Sequence, residues 1–346
     1  MKKKIFISII LILFGLVSYS LSKTEEKISR EGFAMNTLIR MTVYANDNEI
    51  LEDAYSLLNK LDKELSMYDL SSDISKINSN AGIEKVKVSS EVIEVIKNSK
   101  KLYDLSGGVF NPLIGPVTRL WKINQADNTI PSPESLDAAV KLSNIENLEI
   151  NDEDEEVFLK VKGCVLDLGG IAKGFAGDQI AGLLKNKGIK AGLIDLGGNI
   201  CVVGKKLEDN SDWNIGVRDP SSPYGVPALV LSVHDTSVIT SGGYERYKIV
   251  NGKKYSHFFD PKTGKSITND LLSATVVTPD GSLADGLATA FMASGYEKSL
   301  EMLNNKNIPA STGVILIRFD DGKLKIFATE NLRKVISRTK YEIIFN

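Results

Sequence analysis

This chain predicts a fold that mixes helices with strands, and three observations carry that reading. Apolar residues recur at helical spacing in long stretches, as in Ile50, Leu51, Ala54, Leu57, Leu58, Leu61 and Leu65. They alternate in shorter ones, as along residues 38–44. Turn signals, Asn251-Gly252 and Asp320-Asp321-Gly322, sit between pairs of short apolar runs. With 346 residues and 42% hydrophobic content, the chain can bury a core large enough for two packed lobes.

The lobes are expected within residues 23–346. Before them, Lys2, Lys3 and Lys4 precede an apolar run at residues 5–21. This is a signal segment with a positive front end. Ser20 and Ser22 suit cleavage before Lys23, and an uncleaved membrane anchor is the alternative. Either way the body should sit outside the cytoplasmic membrane. The leader holds no cysteine to carry a lipid. The two cysteines, Cys164 and Cys201, lack metal-site spacing; one bridge or two buried thiols both fit. Forty-two basic against 44 acidic residues, a net charge of -2, point to no nucleic-acid partner.

In chain order, a strand at residues 38–44 leads into the long helix marked by Ile50 to Leu65. Residues 71–80 are polar and read as a loop. Ser89 and Ser90 can cap a second helix, with Val92, Ile93, Ile96 and Leu102 inward. It runs into Leu105-Ser-Gly-Gly-Val-Phe-Asn-Pro112. There the glycines allow close backbone approach, and Pro112 holds Asn111 extended. The stretch is either a helix stop or a wall for a flat ligand. Residues 115–129 carry Trp121 and no clear pattern. Ser132 and Pro133 open a short helix. Five acids at residues 152–156 form the solvated tip of a hairpin, since acids with no scaffold around them repel one another.

Leu166-Asp-Leu-Gly-Gly-Ile-Ala-Lys-Gly174 reads as a strand end, a glycine turn and a helix with Ile180, Leu183 and Leu184 inward. The helix start should leave N–H groups unpaired for a phosphate, with Lys173 adding charge. It is neither the dinucleotide fingerprint nor a P-loop. Asp195-Leu-Gly-Gly198 repeats part of the string; it marks a second strand end at one site or an independent turn. Strands follow at residues 213–218 and 228–233. Residues 247–250 should pair with 254–258 across Asn251-Gly252, which places His257 just after a strand. That histidine reads equally as structural or functional.

A strand at residues 272–277 precedes a helix carrying Leu283, Leu287, Ala290 and Phe291. On it, Asp285 and Thr289 lie one turn apart on one face. Their oxygens suit a hard cation such as Mg²⁺; the alternative is a dipole-favoured acid beside a surface hydroxyl. Residues 313–319 and 323–327 form a last hairpin, and the tail reads as edge structure.

Together, Met35-Asn-Thr37, Tyr68, Gly107-Gly-Val-Phe-Asn-Pro112, Asp167-Leu-Gly-Gly-Ile-Ala-Lys-Gly174, Asp195-Leu-Gly-Gly-Asn199, Ser241-Gly-Gly-Tyr-Glu-Arg246, His257-Phe-Phe-Asp-Pro-Lys-Thr-Gly264 and Asp285-Gly-Leu-Ala-Thr-Ala290 resemble the FAD:protein FMN transferase family. Its members move FMN from FAD onto threonine hydroxyls and were once taken for thiamine-biosynthesis lipoproteins. The likeness spans roughly residues 30–330, in the family's order.

The resemblance implies a T-fold-like α+β architecture whose sheets and helices enclose a flavin cleft. It implies Mg²⁺ held by the backbone oxygen of Gly170, the Asp285 carboxylate and the Thr289 hydroxyl. It implies FAD contacts at Met35, Tyr68, Val109, Phe110, Asn111, Asp167, Lys173, His257 and Phe259. His257 is the candidate base, with Asp285 and Lys173 offsetting charge. The acceptor would carry a Ser/Thr-Gly-Ala-Thr-like site on an exported or membrane redox protein. The rival activities are a Mg²⁺-dependent FAD pyrophosphatase giving AMP and FMN, and an exported flavin carrier without catalysis. A glycosidase lacks its carboxylate pair. The chain departs from the family in having no lipobox cysteine, and in having Asn36 where glycine is common.

Overall fold

The computed structural model describes residues 25–346, apart from 124, 126, 127, 224, 269, 305 and 306. The expected leader lies outside the described residues. Among the described residues no helix is long and apolar enough to cross a membrane.

The helices are α1 (Glu49–Leu65), α2 (Asp73–Ser79), α3 (Ser90–Leu105), α4 (Gly115–Trp121), α5 (Pro133–Leu142), α6 (Ala172–Asn186), α7 (Gly281–Ser294) and α8 (Tyr296–Leu303). The strands are β1 (Glu26–Ala34), β2 (Thr37–Ala45), β3 (Val86–Lys87), β4 (Leu148–Asn151), β5 (Glu156–Leu159), β6 (Gly192–Leu196), β7 (Asn199–Val203), β8 (Trp213–Arg218), β9 (Pro227–Val233), β10 (Thr236–Gly242), β11 (Tyr247–Val250), β12 (Lys253–Ser256), β13 (Leu271–Thr278), β14 (Gly313–Asp320), β15 (Lys323–Ala328), β16 (Ile336–Thr339) and β17 (Ile343–Phe345). One nine-stranded sheet runs in the order β1-β2-β6-β7-β10-β13-β14-β15-β17. Its last pair, β15 with β17, is parallel.

Alternation along the strands gives this sheet two buried faces. On β14, Val314 and Leu316 join the main core, while Ile315 and Ile317 face a second one. The main core also takes the inward faces of α1, α3, α6 and α7. The second core is closed by Trp213, Ile215, Leu229 and Leu231 of the β16-β9-β8 sheet. The helices thus stand on one side of the large sheet and the small sheet on the other. A smaller core gathers Val117, Trp121, Leu136, Ala139 and Phe259.

Two local expectations are corrected. Residues 73–79 are helix, not loop. Ser72 caps it by accepting the Ser75 N–H at 2.9 Å, and Ile74 and Ile77 are buried. The polar residues that suggested a loop form its outer face, except for the buried Ser75 and Asn78. Asn78 points inward, donating to the Leu166 carbonyl at 3.0 Å and accepting the Leu166 N–H at 2.7 Å. Those two bonds explain the second correction. Residues 164–168 form no strand, and the Asn78 amide takes the Leu166 backbone groups that a neighbouring strand would have paired. Cys164 and Cys201 are free, buried thiols.

Candidate active site

The β1–β2 hairpin turns on Met35 and Asn36, both at positive φ, 47° and 58°. Such two-residue turns match the twist of paired strands. Asparagine tolerates this region, so Asn36 supplies the left-handed geometry that a glycine would. Methionine rarely enters it. The Met35 N–H donates to Asp62 Oδ2 at 2.8 Å, which ties the hairpin tip to α1. On the loop after α1, Tyr68 is 70% exposed. Its hydroxyl is pushed up by desolvation and by Asp167, against the pull of Arg246 and Arg119.

Asp167 joins two turns. Its N–H donates to the Pro112 carbonyl at 2.8 Å, and its Oδ1 accepts the Gly169 N–H at 2.9 Å. The turn at residues 107–112 is therefore fastened to the turn at residues 167–170. Within the first, Val109 is half-buried and Phe110 is buried. Asn111 spends its amide on the scaffold, donating to the Ser143 carbonyl at 2.8 Å and accepting the Leu113 N–H at 2.9 Å. The Phe110 ring lies so close to Gly170 that a β-carbon there would sit 3.1 Å from Phe110 Cε2 and from Thr289 Oγ1.

Gly170, Asp285 and Thr289 meet where α6 begins. The Thr289 hydroxyl donates to the Gly170 carbonyl at 3.4 Å. One turn earlier on α7, Asp285 is 2% exposed, and its Oδ2 accepts the Gly174 N–H at 2.9 Å. No residue of α6 caps that helix; Asp285 does so from α7. The approach is close enough that a β-carbon on Gly174 would overlap the Gly281 carbonyl oxygen. This narrows the expectation of an open helix start. The Ala172 N–H is taken by the Leu168 carbonyl at 2.9 Å and the Gly174 N–H by Asp285, as buried donors require. The half-buried Lys173 side chain stands at the same helix start.

A carboxylate, a hydroxyl and a carbonyl oxygen are the donors a hard divalent cation takes, so these three residues fit Mg²⁺. Among the described residues no group of three or more His, Cys, Asp or Glu side chains could hold a metal. A site here must therefore draw on the backbone and hydroxyl oxygens.

His257 Nδ1 lies 3.0 Å from the Arg246 carbonyl oxygen. That oxygen only accepts, so Nδ1 carries the proton and Nε2 presents a lone pair. The ring is tilted against Phe258 with centroids 4.1 Å apart. Burial pushes the imidazole down to about 4; the bond to Arg246 opposes this, while the Arg246 and Lys173 charges reinforce it. His257 is thus neutral near pH 7. Phe259, by contrast, is packed into the small core, stacked on Trp121 at 5.9 Å.

Three charged side chains of the cleft escaped the sequence reading. Glu245 lies within reach of Lys173, Arg246 and Asp285; desolvation raises its carboxyl, against the pull of Lys173 and Arg246. Arg246 faces both His257 and Tyr68, and Arg119 faces Tyr68. The signal for the first two was the polar Ser241–Arg246 motif itself. Arg119 lay in a stretch without pattern.

Comparison with known proteins sets this fold and site among the flavin transferases. The chain is similar in structure to the flavin transferase ApbE from Vibrio cholerae, with a TM-score of 0.80 at 26% identity over 90% of this chain and 100% of that one. It is similar also to the ApbE protein of Thermotoga maritima, with a TM-score of 0.78 at 28% identity over 87% and 96%. In sequence it is 33% identical to the FAD:protein FMN transferase of Treponema pallidum over 89% of this chain and 93% of that protein. The model of the ApbE family matches residues 35–312. The chain belongs to the ApbE family.

Proposed function

We propose that this enzyme is an FAD:protein FMN transferase that, with Mg²⁺, moves FMN from FAD onto a threonine or serine hydroxyl of another protein and releases AMP. The observation that carries the reading is the oxygen set of Gly170, Asp285 and Thr289 beside Lys173. Bound there, Mg²⁺ would withdraw charge from the pyrophosphate oxygens. Lys173 adds a positive charge on the same side. In this reading Met35, Tyr68, Val109, Phe110 and Asp167 contact the flavin nucleotide, and Asn111 holds its turn in shape.

His257 Nε2 takes the proton of the incoming hydroxyl. The hydroxyl oxygen forms its bond to the FMN-side phosphorus as the bond from that phosphorus to the bridging oxygen breaks. AMP leaves with the bridging oxygen. Orientation of the two reactants is the main task left to the protein, as in other phosphoryl transfers.

The acceptor we propose is an exported or membrane redox protein with a Ser/Thr-Gly-Ala-Thr-like site. The basic and apolar leader supports work on the outer face of the cytoplasmic membrane, anchored or released. Intact mass of an acceptor domain incubated with the protein, FAD and Mg²⁺ tests the reading. A gain of one FMN less water is expected, lost with EDTA and with Asp285→Ala. AMP and free FMN without a mass gain would make the chain a pyrophosphatase. FAD retained unchanged would make it a carrier.

A further inference from the structure

Helices α6 and α7 cap each other. Asp285 on α7 accepts the Gly174 N–H in the first turn of α6 at 2.9 Å. In return Asp178 on α6 takes the start of α7. Its Oδ1 accepts the Gly281 N–H at 2.8 Å, and its Oδ2 accepts the Ser282 N–H at 2.8 Å and the Ser282 hydroxyl at 3.0 Å. The cap of α7 itself, Asp280, takes only the next donor, the Leu283 N–H at 2.8 Å. Without Asp178, the first two N–H groups of α7 lose their acceptor.

We propose that Asp178 is a positioning residue for the metal site: by clamping the start of α7 onto α6, it sets where Asp285 and Thr289 stand against Gly170. The inference rests on the Mg²⁺ reading above. Gly170 lies just ahead of α6, and the other two ligands lie on α7. The site therefore spans the two helices, and its dimensions depend on their register. Gly281 to Asp285 is one helical turn, about 6 Å of rise, so displacement at the clamp carries directly to Asp285. The contact has no slack. A β-carbon on Gly281 would come within 2.7 Å of both Asp178 Oδ1 and the Gly174 carbonyl oxygen.

A carboxylate suits this place because three donors converge on two acceptor oxygens. The positive end of α7 favours the anion. Burial works against it and pushes the carboxyl up to about 6, while the bonds from Ser282 and Gly281 pull it back. Asparagine would present one acceptor and turn an N–H₂ toward a backbone N–H.

The test is a calorimetric Mg²⁺ titration of the full-length protein, with and without FAD, alongside kcat and KM. Asp178→Asn should weaken Mg²⁺ about tenfold, as loss of a group that orients a ligand does. Excess Mg²⁺ should restore kcat, with KM for FAD held within about twofold. A variant that melts earlier yet binds Mg²⁺ like the wild type would show a structural cap only and overturn the proposal. If Asp178→Asn does not fold, Ser282→Ala removes one of the three bonds and should weaken Mg²⁺ about threefold; unchanged affinity overturns the proposal equally. Asp285→Ala separates the two readings. If it binds Mg²⁺ like the wild type, or the wild type binds none, the metal reading itself fails and the positioning role falls with it.

Discussion

The string Asp-Leu-Gly-Gly occurs at residues 167–170 and again at residues 195–198, and the two copies end in different structures. In both, the aspartate closes the turn: Asp167 Oδ1 accepts the Gly169 N–H at 2.9 Å, and Asp195 Oδ1 accepts the Gly198 N–H at 2.8 Å. Beyond the turn they part. The first runs into Ile-Ala-Lys-Gly-Phe-Ala and becomes α6; the second runs into Asn-Ile-Cys-Val-Val and becomes β7. The β-branched Ile200, Val202 and Val203 suit the strand, whereas Gly174 and Phe175 favour no helix by themselves and α6 is held by the Asp285 cap from α7. The glycines differ in purpose too. Gly197 and Gly198 stand at φ of 69° and 93°, where the hairpin needs a left-handed backbone. Gly170 has no such φ; it leaves room between Phe110 and Thr289. One copy uses glycine for backbone shape and the other for space beside the chemistry.

The sharpest way to break this comparison lies just past the first string. Gly174→Ala places a β-carbon on the Gly281 carbonyl. It should cost on the order of 3 kcal/mol of stability and abolish transfer, read by denaturant melts and product mass. The same substitution at matching positions then separates the copies. Gly170→Val should crowd Phe110 and Thr289, costing about 1–3 kcal/mol of stability and weakening Mg²⁺ by roughly tenfold or more, read by melts and calorimetry. Gly198→Val should lose about 1–3 kcal/mol to backbone strain and keep Mg²⁺ affinity.

The smallest effect is a matter of pH. The His257 imidazole stands at about 4 against an ordinary 6.5, so the acid limb of kcat/KM should fall well below pH 6. In stability the sign follows from proton uptake. Between these two values the unfolded chain binds more protons than the folded one. The contribution is full above pH 6.5 and is lost as pH falls toward 4. Melts of His257→Gln across that window should show a flatter profile than the wild type.

Much of the fold was legible because its signals are local. Ser89 and Ser132 cap α3 and α5 through bonds to Val92 and Ser135 N–H groups a few residues away. Asn251-Gly252 and Asp321-Gly322 turn hairpins between adjacent strands. What escaped depends on distant partners. Asn78 takes its partner from Leu166, so α2 looked too polar to be a helix and Leu166 looked like part of a strand end. The strand order, which sets β10 between β7 and β13, has no local trace. In the candidate site, the shared face of Asp285 and Thr289 could be read from helical period alone. That Asp285 caps α6 and Asp178 caps α7 could not, since each bond joins segments about a hundred residues apart. Phe259 entered the candidate FAD contacts through the family resemblance alone, and Trp121, in a stretch without pattern, stacks on it.

The most direct measurement is anomalous diffraction from crystals grown with FAD and Mn²⁺ in place of Mg²⁺. A single peak bonded to the Asp285 carboxylate, Thr289 Oγ1 and the Gly170 carbonyl is the expected result. Bound FAD with the ion elsewhere, or with no ion at these three oxygens, would contradict the account.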